Sequence, residues 1–312
     1  MDVRNETRVT EFIFLGLSSN RELQMIFFAL FLVMYLGTIA GNLLIMTTIY
    51  VDSQLHSPMY FLLCNLAFID LSFSTVTVPR ALVLFLLPNK TISFRDCMTQ
   101  LFFLHFTAGA ECFHLVLMAY DRYVAICKPL HYTKIMNKQV CLLLVVSSWA
   151  GGFIHAFAQS LPIIQLPFCG PNEINHFFCE GPNLFLLACT STFISEIVNM
   201  ANSGSLAVSC FVVLVISYGY IISTILKMES AEGRWKAFST CASHLLVVIL
   251  FYGPIAFVYM RPSEAFAADK PLAVFYTTVT PWLNPIIYTL RNEKARKAMK
   301  KLWILFTKVD QK

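Results

Sequence analysis

Apolar residues gather along this chain into seven long runs divided by short polar segments. Leu23 to Val51 holds no Asp, Glu, Lys or Arg, and Pro58 to Leu87 has Asp70 near its middle and Arg80 toward one end. Cys97 to Met118 carries His105, Glu111 and His114. Val140 to Leu161 is ended by Pro162, and Phe193 to Leu226 contains only Glu196. Ala237 to Met260 and Pro271 to Leu290 complete the set. A helix crosses the hydrocarbon core of a bilayer with about 20 apolar residues, so these runs suffice. Helices of a soluble bundle would show a polar face on most of them. The pattern predicts an all-α membrane protein, a bundle of seven transmembrane helices. It forms a single domain over 1–312, with a polar tail at 1–22, the bundle at 23–290 and a second tail at 291–312.

Composition removes the alternatives. Hydrophobic residues make up 57% of the chain and charged ones 13%, and Phe alone occurs 28 times. Soluble globular chains carry roughly 45–50% apolar and about 25% charged residues. So apolar a chain is not disordered, and the excess is too large for one soluble core. The net charge of +5 is better read by placement than as a nucleic-acid signal, and no nucleic-acid partner is expected. With the N-terminus outside, 15 of the 23 Lys and Arg fall on inner segments and 8 on outer ones. That bias favours N-out, C-in. Met1 to Glu22 lacks the apolar core of a signal peptide, so the first run is expected to act as the targeting signal. The sequons Asn5-Glu6-Thr7 and Asn89-Lys90-Thr91 both fall on the outer side, and Asn5 is the expected glycosylation acceptor.

Of ten Cys, four fall outside under this topology: Cys97, Cys169, Cys179 and Cys189. An even number in an oxidising compartment suggests two bridges, and spacing alone leaves three connectivities. The other six read as small buried apolar residues. His176 and Cys179 have a spacing that suits a soft metal ion, but a disulfide sulfur is a poor ligand. No metal and no cofactor is expected.

Three polar features stand out against this background. Met118-Ala119-Tyr120-Asp121-Arg122-Tyr123-Val124-Ala125-Ile126-Cys127 closes the third run, placing an ionisable pair at the membrane edge. Pro281-Trp282-Leu283-Asn284-Pro285-Ile286-Ile287-Tyr288 ends the seventh, where a proline frees a carbonyl and lets the helix bend. Asn42, Asp70 and Asn284 are polar residues inside the first, second and seventh runs, and Glu111 adds a second buried carboxylate. They form either a switching network that holds a proton or a sodium ion, or a satisfied structural one.

With these motifs the chain resembles the rhodopsin-like (class A) G-protein-coupled receptors, and among them the tetrapod-type (class II) olfactory receptors. The resemblance covers essentially the whole chain. It is carried by Pro58-Met59-Tyr60-Phe61-Leu62, Met118 to Cys127, Ser217-Tyr218, Pro281 to Asn292 and, most discriminating, Lys236-Ala237-Phe238-Ser239-Thr240-Cys241-Ala242-Ser243-His244. Leu62, Cys64 and Ala242 depart from the family's more frequent Phe, Ser and Ser. The resemblance implies bridges Cys97–Cys179 and Cys169–Cys189. It implies a small hydrophobic odorant as ligand, a heterotrimeric stimulatory olfactory-type G protein that raises cyclic AMP, and the plasma membrane of olfactory sensory neuron cilia as the location. Asp121, Arg122, Tyr123, Tyr218, Asn284, Pro285 and Tyr288 become the candidate coupling and switch residues. Agonist contacts at Tyr252 and Pro254 are expected to swing the sixth span outward, with Arg122 leaving Asp121 for Tyr218 and Tyr288.

A ligand site in such a bundle is expected in the outer half, between spans three, five and six. His105, Ala108, Gly109 and Cys112 recur at i, i+3, i+4 and i+7 and so share a face. The small Ala108 and Gly109 either leave room for a ligand or permit close helix packing. Asn202, Ser203 and Leu206 form a stripe on the fifth span, and Tyr252, Ile255 and Tyr259 one on the sixth. Thr277 and Gln159 extend the set. No carboxylate stands ready for an amine, so the expected ligand is largely neutral, oriented by a hydrogen bond from Tyr259 or Asn202. After Arg291, Met299, Leu302, Trp303 and Phe306 share a face at helical spacing. With Lys297, Lys300, Lys301 and Lys308 they predict a short amphipathic helix on the bilayer surface. No inverted repeat points to a transporter, and no HExxH, GxSxG or phosphate-loop pattern points to an enzyme.

Overall fold

The computed structural model describes residues 9–88, 90–259, 268–291 and 294–301. Six helices in it are long and apolar enough to cross a membrane. These are α1 (Arg21–Val51), α2 (Pro58–Leu86), α3 (Phe94–Cys127), α5 (Lys138–Ile164), α7 (Phe193–Leu226) and α8 (Ala231–Tyr259). The short α4 (Tyr132–Ile135) precedes α5, and α6 (Gly181–Phe185) precedes α7. The seventh apolar run is divided into α9 (Asp269–Val274), a π-helical turn at Phe275–Val279 and α10 (Thr280–Arg291).

Local chemistry starts these helices where the sequence puts polar residues. Asn20 accepts from Glu22 N at 2.8 Å and Leu23 N at 3.3 Å, Ser93 from Asp96 N at 3.0 Å, and Asn137 from Val140 N at 3.0 Å. Each such cap stabilises its helix by about 1 kcal/mol. Pro58 occupies the first turn of α2, where its missing N–H costs nothing. α5 runs two residues past Pro162 to Ile164 rather than ending there, because a proline costs a hydrogen bond but does not forbid a final turn.

α3 lies at the centre, packed against α2, α5, α7 and α8. The closest approach is α3 on α5. A Cβ on Gly152 would stand 2.6 Å from Ala110 N and 2.7 Å from Phe106 O, and one on Gly109 would stand 3.1 Å from Gly152 Cα. Large apolar side chains line the outside of the bundle, among them Leu30, Val33 and Leu36 on α1, Leu143 and Ile154 on α5, and Val215 and Ile216 on α7. A soluble protein rarely exposes apolar patches of this extent, whereas lipid tails match them.

One end of the bundle corrects the all-helical expectation. Glu11–Phe14 forms strand β1, paired antiparallel with β2 (Thr91–Ser93) and parallel with β3 (Glu173–Ile174), in the order β2-β1-β3. The polar tail therefore contributes an anchored strand. Alternation drives this, since Phe12 and Phe14 point inward and are fully buried, Phe12 edge-on to Phe168 at 5.5 Å. At the same end Cys97 is bridged to Cys179 and Cys169 to Cys189, with Cα separations of 5.5 and 5.8 Å. The long loop between α5 and α7 folds back into the bundle mouth. Phe177 and Phe178 are fully buried, and Cys179 N donates to Gln100 Oε1 at 2.9 Å.

The second tail is described only in part. Residues 294–301 are helical, but the inward face consists of Ala295, Ala298 and Met299. Of the anticipated stripe, Leu302, Trp303 and Phe306 lie outside the described residues, as do Lys308, Asn5 and Asn89.

Candidate functional site

Beneath the folded-in loop lies a cavity of about 40 Å³ between α2, α3, α5, α7, α8 and the π-helical turn. It has room for roughly three waters, so an occupant is either small or makes side chains move. His105, Ala108, Gly109, Cys112, Ser203, Leu206, Tyr252 and Ile255 line it, all expected from helical spacing. Gly109 answers the question of room against packing in both senses. One side of it meets Gly152 and the other opens on the cavity.

Two expected residues stand elsewhere. Asn202 does not line the cavity; its Nδ2 donates to His155 O at 3.4 Å, because it faces α5. Thr277 is also outside the lining, its hydroxyl donating to Ala273 O at 2.7 Å. The Tyr259 side chain lies outside the described residues. In their place Phe73, Leu104, His155, Ala207 and Tyr276 complete the wall. His155 had a readable signal, since Gly152 precedes it by three positions and brings that face of α5 against α3. Tyr276 had none, because the π-helical turn that aims it inward breaks the regular spacing.

The polar contacts of the cavity are few. Tyr252 Oη donates to Cys112 O at 2.8 Å, joining α8 to α3 at the wall. The His105 and His155 rings meet edge-to-face at 5.9 Å. Gln159, an expected candidate, does not line the cavity but donates through Nε2 to Ser203 Oγ, which does. No Asp, Glu, Lys or Arg is among the described lining residues. A larger groove of about 570 Å³ between α3 and α5 runs from Phe94 and Arg95 to Phe103 on one side and from Phe157 to Ile164 on the other. It lies on the outer face of the bundle, walled in part by the exposed Phe103 and Phe157.

The loop that covers the cavity is itself held by polar groups. Glu180 accepts from Tyr276 Oη at 2.9 Å, and His176 Nε2 stands 3.6 Å from the other Glu180 oxygen. Lys270 Nζ donates to Gly16 O and Asn175 Oδ1, both at 2.8 Å. Burial, with the Lys270 ammonium adding to it, pushes His176 down to about 3, so the ring is neutral at ordinary pH. Its neighbour Cys179 is spent in the disulfide. No cluster of three or more His, Cys, Asp or Glu able to hold a metal occurs among the described residues.

Midway down the bundle, Asn284 Nδ2 donates to Asp70 Oδ1 at 2.8 Å, tying α10 to α2. Asn42 is not part of that contact; its Nδ2 donates to Thr38 O at 2.9 Å and Pro281 O at 3.4 Å. Glu111 is completely buried, and neither of its carboxyl oxygens has a protein partner.

At the far end the expected Asp121–Arg122 pairing is absent. Tyr132 Oη donates to Asp121 Oδ1 at 2.7 Å, and Arg122 Nη1 reaches Met59 Sδ at 2.8 Å. The reason is local. α4 returns the chain beneath α3 and offers Asp121 a neutral donor, leaving Arg122 to lie along α2. Burial and the adjacent carboxylate push the Tyr132 hydroxyl upward, so it stays protonated as the donor. Tyr218 Oη and His244 Nδ1 share a hydrogen bond of 2.5 Å that clips α7 to α8, and Tyr123 packs edge-on against Tyr220 at 6.0 Å. Tyr288 Oη is buried without a partner, one helix away on α10. Pro285 is buried against Gly41, whose Cβ, if present, would stand 2.9 Å from the proline ring. His244 was legible only as part of a motif; its bond to Tyr218 was not.

Comparison with known proteins shows the family. The profile of a family described as Olfactory receptor matches residues 31–306. The chain is similar to Olfactory receptor 4E2 of Homo sapiens, 53% identical over 311 residues that cover 99% of each chain. Its similarity to Olfactory receptor 4E2 of Mus musculus is 54% over 302 residues, 97% of this chain and 98% of the other. With Olfactory receptor 4S2 of Homo sapiens it shares 52% identity over 295 residues, 95% of this chain and 94% of the other.

Proposed function

The chain belongs to the olfactory receptor family of class A G-protein-coupled receptors, and we propose that it detects small, largely neutral, hydrophobic odorants in the cavity beneath the folded loop. It is a multi-pass membrane receptor and not an enzyme. In this reading the disulfide end faces outward, residues 294–301 lie on the inner surface of the bilayer, and the working membrane is that of olfactory cilia. The signal is a rise in cyclic AMP through a stimulatory olfactory-type G protein.

The observation that carries the ligand reading is the lining of the cavity. It is apolar and aromatic with a few neutral hydrogen-bonding groups, and no charged side chain is among the described lining residues. A charged ligand would enter without a partner, which is costly in so apolar a site. Few heavy atoms bound the affinity, so binding is weak.

Agonist binding acts by favouring one arrangement over another. Tyr252 is the natural sensor, since its hydroxyl holds α8 to α3 and its ring lines the cavity. An odorant that displaces this contact lets α8 pivot near Pro254. The Tyr218–His244 clip then opens, and Arg122 leaves Met59 for Tyr218 and Tyr288 as the G protein enters. The experiment is a cyclic AMP assay in cells expressing the receptor, run against a panel of neutral volatiles with Tyr252→Phe in parallel. Agonists that raise cyclic AMP only in receptor-bearing cells support the reading. Silence across the panel at normal surface expression refutes it.

A further inference from the structure

The groove of about 570 Å³ between α3 and α5 has no part in odorant detection as read above. Its walls include Phe102 and Phe103 on α3 and Phe157, Leu161 and Ile164 on α5. Arg95 stands at its disulfide end, two residues before the bridged Cys97. Phe102 is held by its neighbours, stacked on Phe106 at 6.2 Å and edge-on to Phe153 at 5.6 Å, so this wall is already in place. Polar groups along the groove are spent or covered. The Thr99 hydroxyl donates to Arg95 O at 2.8 Å, and Ser160 is buried. From Phe94 to Phe103, α3 rises about 14 Å, close to half of the ~30 Å hydrocarbon thickness of a bilayer. The groove therefore has the depth of one leaflet, with a cation at its head-group end.

That cation differs from most others at this end. Arg21 donates to Phe85 O at 3.1 Å, Arg80 to Thr91 O, and Lys270 to Gly16 O at 2.8 Å. Lys90 and Arg95 have no side-chain hydrogen bond or ion pair among the described residues, and of these two only Arg95 borders the groove. We propose that the groove holds a phospholipid of the leaflet at the disulfide end, one acyl chain along the aromatic wall and the phosphate on the Arg95 guanidinium. On the orientation proposed above this is the outer leaflet; the site itself does not depend on that orientation. A guanidinium presents paired donors that match two phosphate oxygens, and such charge-assisted bonds are stronger at a membrane edge than in bulk water. Asp96, next in the chain and also exposed, balances the local charge, which favours a zwitterionic head group over an anionic one. A sterol or a diacylglycerol would fill the apolar part and leave Arg95 without a partner.

The test is native mass spectrometry of the purified full-length receptor in detergent, titrated with dioleoylphosphatidylcholine, dioleoylglycerol or cholesterol. The first phosphatidylcholine is expected to bind about tenfold tighter than dioleoylglycerol, which has the same chains and no phosphate. Arg95→Gln should weaken that first lipid about tenfold, and Arg95→Lys by less, since an ammonium keeps the charge and loses the paired geometry. Lys90→Gln should leave it unchanged. Leu161 faces outward, 39% exposed, so Leu161→Trp fills the groove without entering the bundle and should remove the preference for the first lipid. Equal phosphatidylcholine binding by the wild type and Arg95→Gln overturns the proposal, as does an equal loss in Lys90→Gln or unchanged binding in Leu161→Trp. Dioleoylglycerol or cholesterol binding as tightly as phosphatidylcholine overturns it too. If Leu161→Trp is not recovered as folded receptor, the Arg95 and Lys90 variants decide. Failure here leaves the odorant reading standing, because that reading is tested by cyclic AMP and not by lipid retention.

Discussion

Gly152→Ala tests whether the contact of α3 on α5 sets the geometry of the cavity. The added Cβ would stand 2.6 Å from Ala110 N, 2.7 Å from Phe106 O and 3.0 Å from Ala110 Cα, all backbone atoms. Ordinary contact begins near 3.4 Å, so about 0.8 Å must be opened. No side chain can yield, and Phe106 and Ala110 belong to a helix packed on several sides, so α3 and α5 must part as bodies. Overpacking of this kind costs about 1–3 kcal/mol, against which alanine returns about 1 kcal/mol of helix propensity. A net loss of up to about 2 kcal/mol is expected, a fall of a few degrees in the unfolding midpoint. The controls are Gly204→Ala and Gly219→Ala on α7, where a Cβ meets nothing within 4 Å. These should be neutral or slightly stabilising. The assay is thermal unfolding of the purified receptor in detergent, together with surface expression. Because His155 sits one turn from Gly152 on the same face, the same variant should also right-shift agonist responses. Gly152→Ala matching the two controls in midpoint would refute the argument.

Arg122→Ala should abolish cyclic AMP signalling at normal surface expression, since Arg122 is the cation proposed to move on activation; retained signalling removes it from the switch. Tyr132→Phe leaves the buried Asp121 carboxyl without its donor and should cost about 1–3 kcal/mol in thermal stability. The loop that covers the cavity should weaken in acid. His176 has a folded value of about 3 against an unfolded one near 6.5, so the unfolded form binds a proton that the folded form refuses. Its contribution is fully present above pH 6.5 and declines by roughly 1.4 kcal/mol per pH unit below it. The midpoint of the wild type should therefore drop more between pH 7 and 5 than that of His176→Gln, and parallel curves would contradict it.

How much of this was readable beforehand depends on how regular the element is. Helical spacing brought eight of the expected residues to one cavity, because α3, α7 and α8 are unbroken over those stretches. Thr277 lies off the lining and Tyr276 on it, because the π-helical turn shifts the phase and turns a neighbour inward. Asn202 lies off the lining for a different reason. It lies on the right face of α7, but α5 stands close enough to claim its amide, and the nearness of α5 is set by Gly109 and Gly152. The buried strand β1 was missed because a four-residue alternation, Glu11-Phe12-Ile13-Phe14, carries little signal in a polar tail. Asp121 and Arg122 were found by motif, yet their partners come from Tyr132 and Met59, which only the return of the chain through α4 and the start of α2 bring near.

The kind of contact that holds the described arrangement bears on how a ligand of few atoms can switch it. An ion pair between Asp121 and Arg122, were it buried, would be strongly costly to open. The contacts found instead are Tyr252 with Cys112 O, Tyr218 with His244, and Arg122 with a thioether. Neutral hydrogen bonds contribute about 0.5–1.5 kcal/mol each. Inverting an equilibrium from 1:99 to 99:1 needs about 5.5 kcal/mol of differential affinity, which is much of what a weakly bound volatile can provide. Two or three such clips, opened together, are within that reach, and a buried ion pair in addition would not be. The neutral hydroxyl that holds Asp121 and the neutral lining of the cavity are thus two sides of one requirement. A small uncharged ligand can command this bundle only if the resting contacts it must break are about as weak as those it can make.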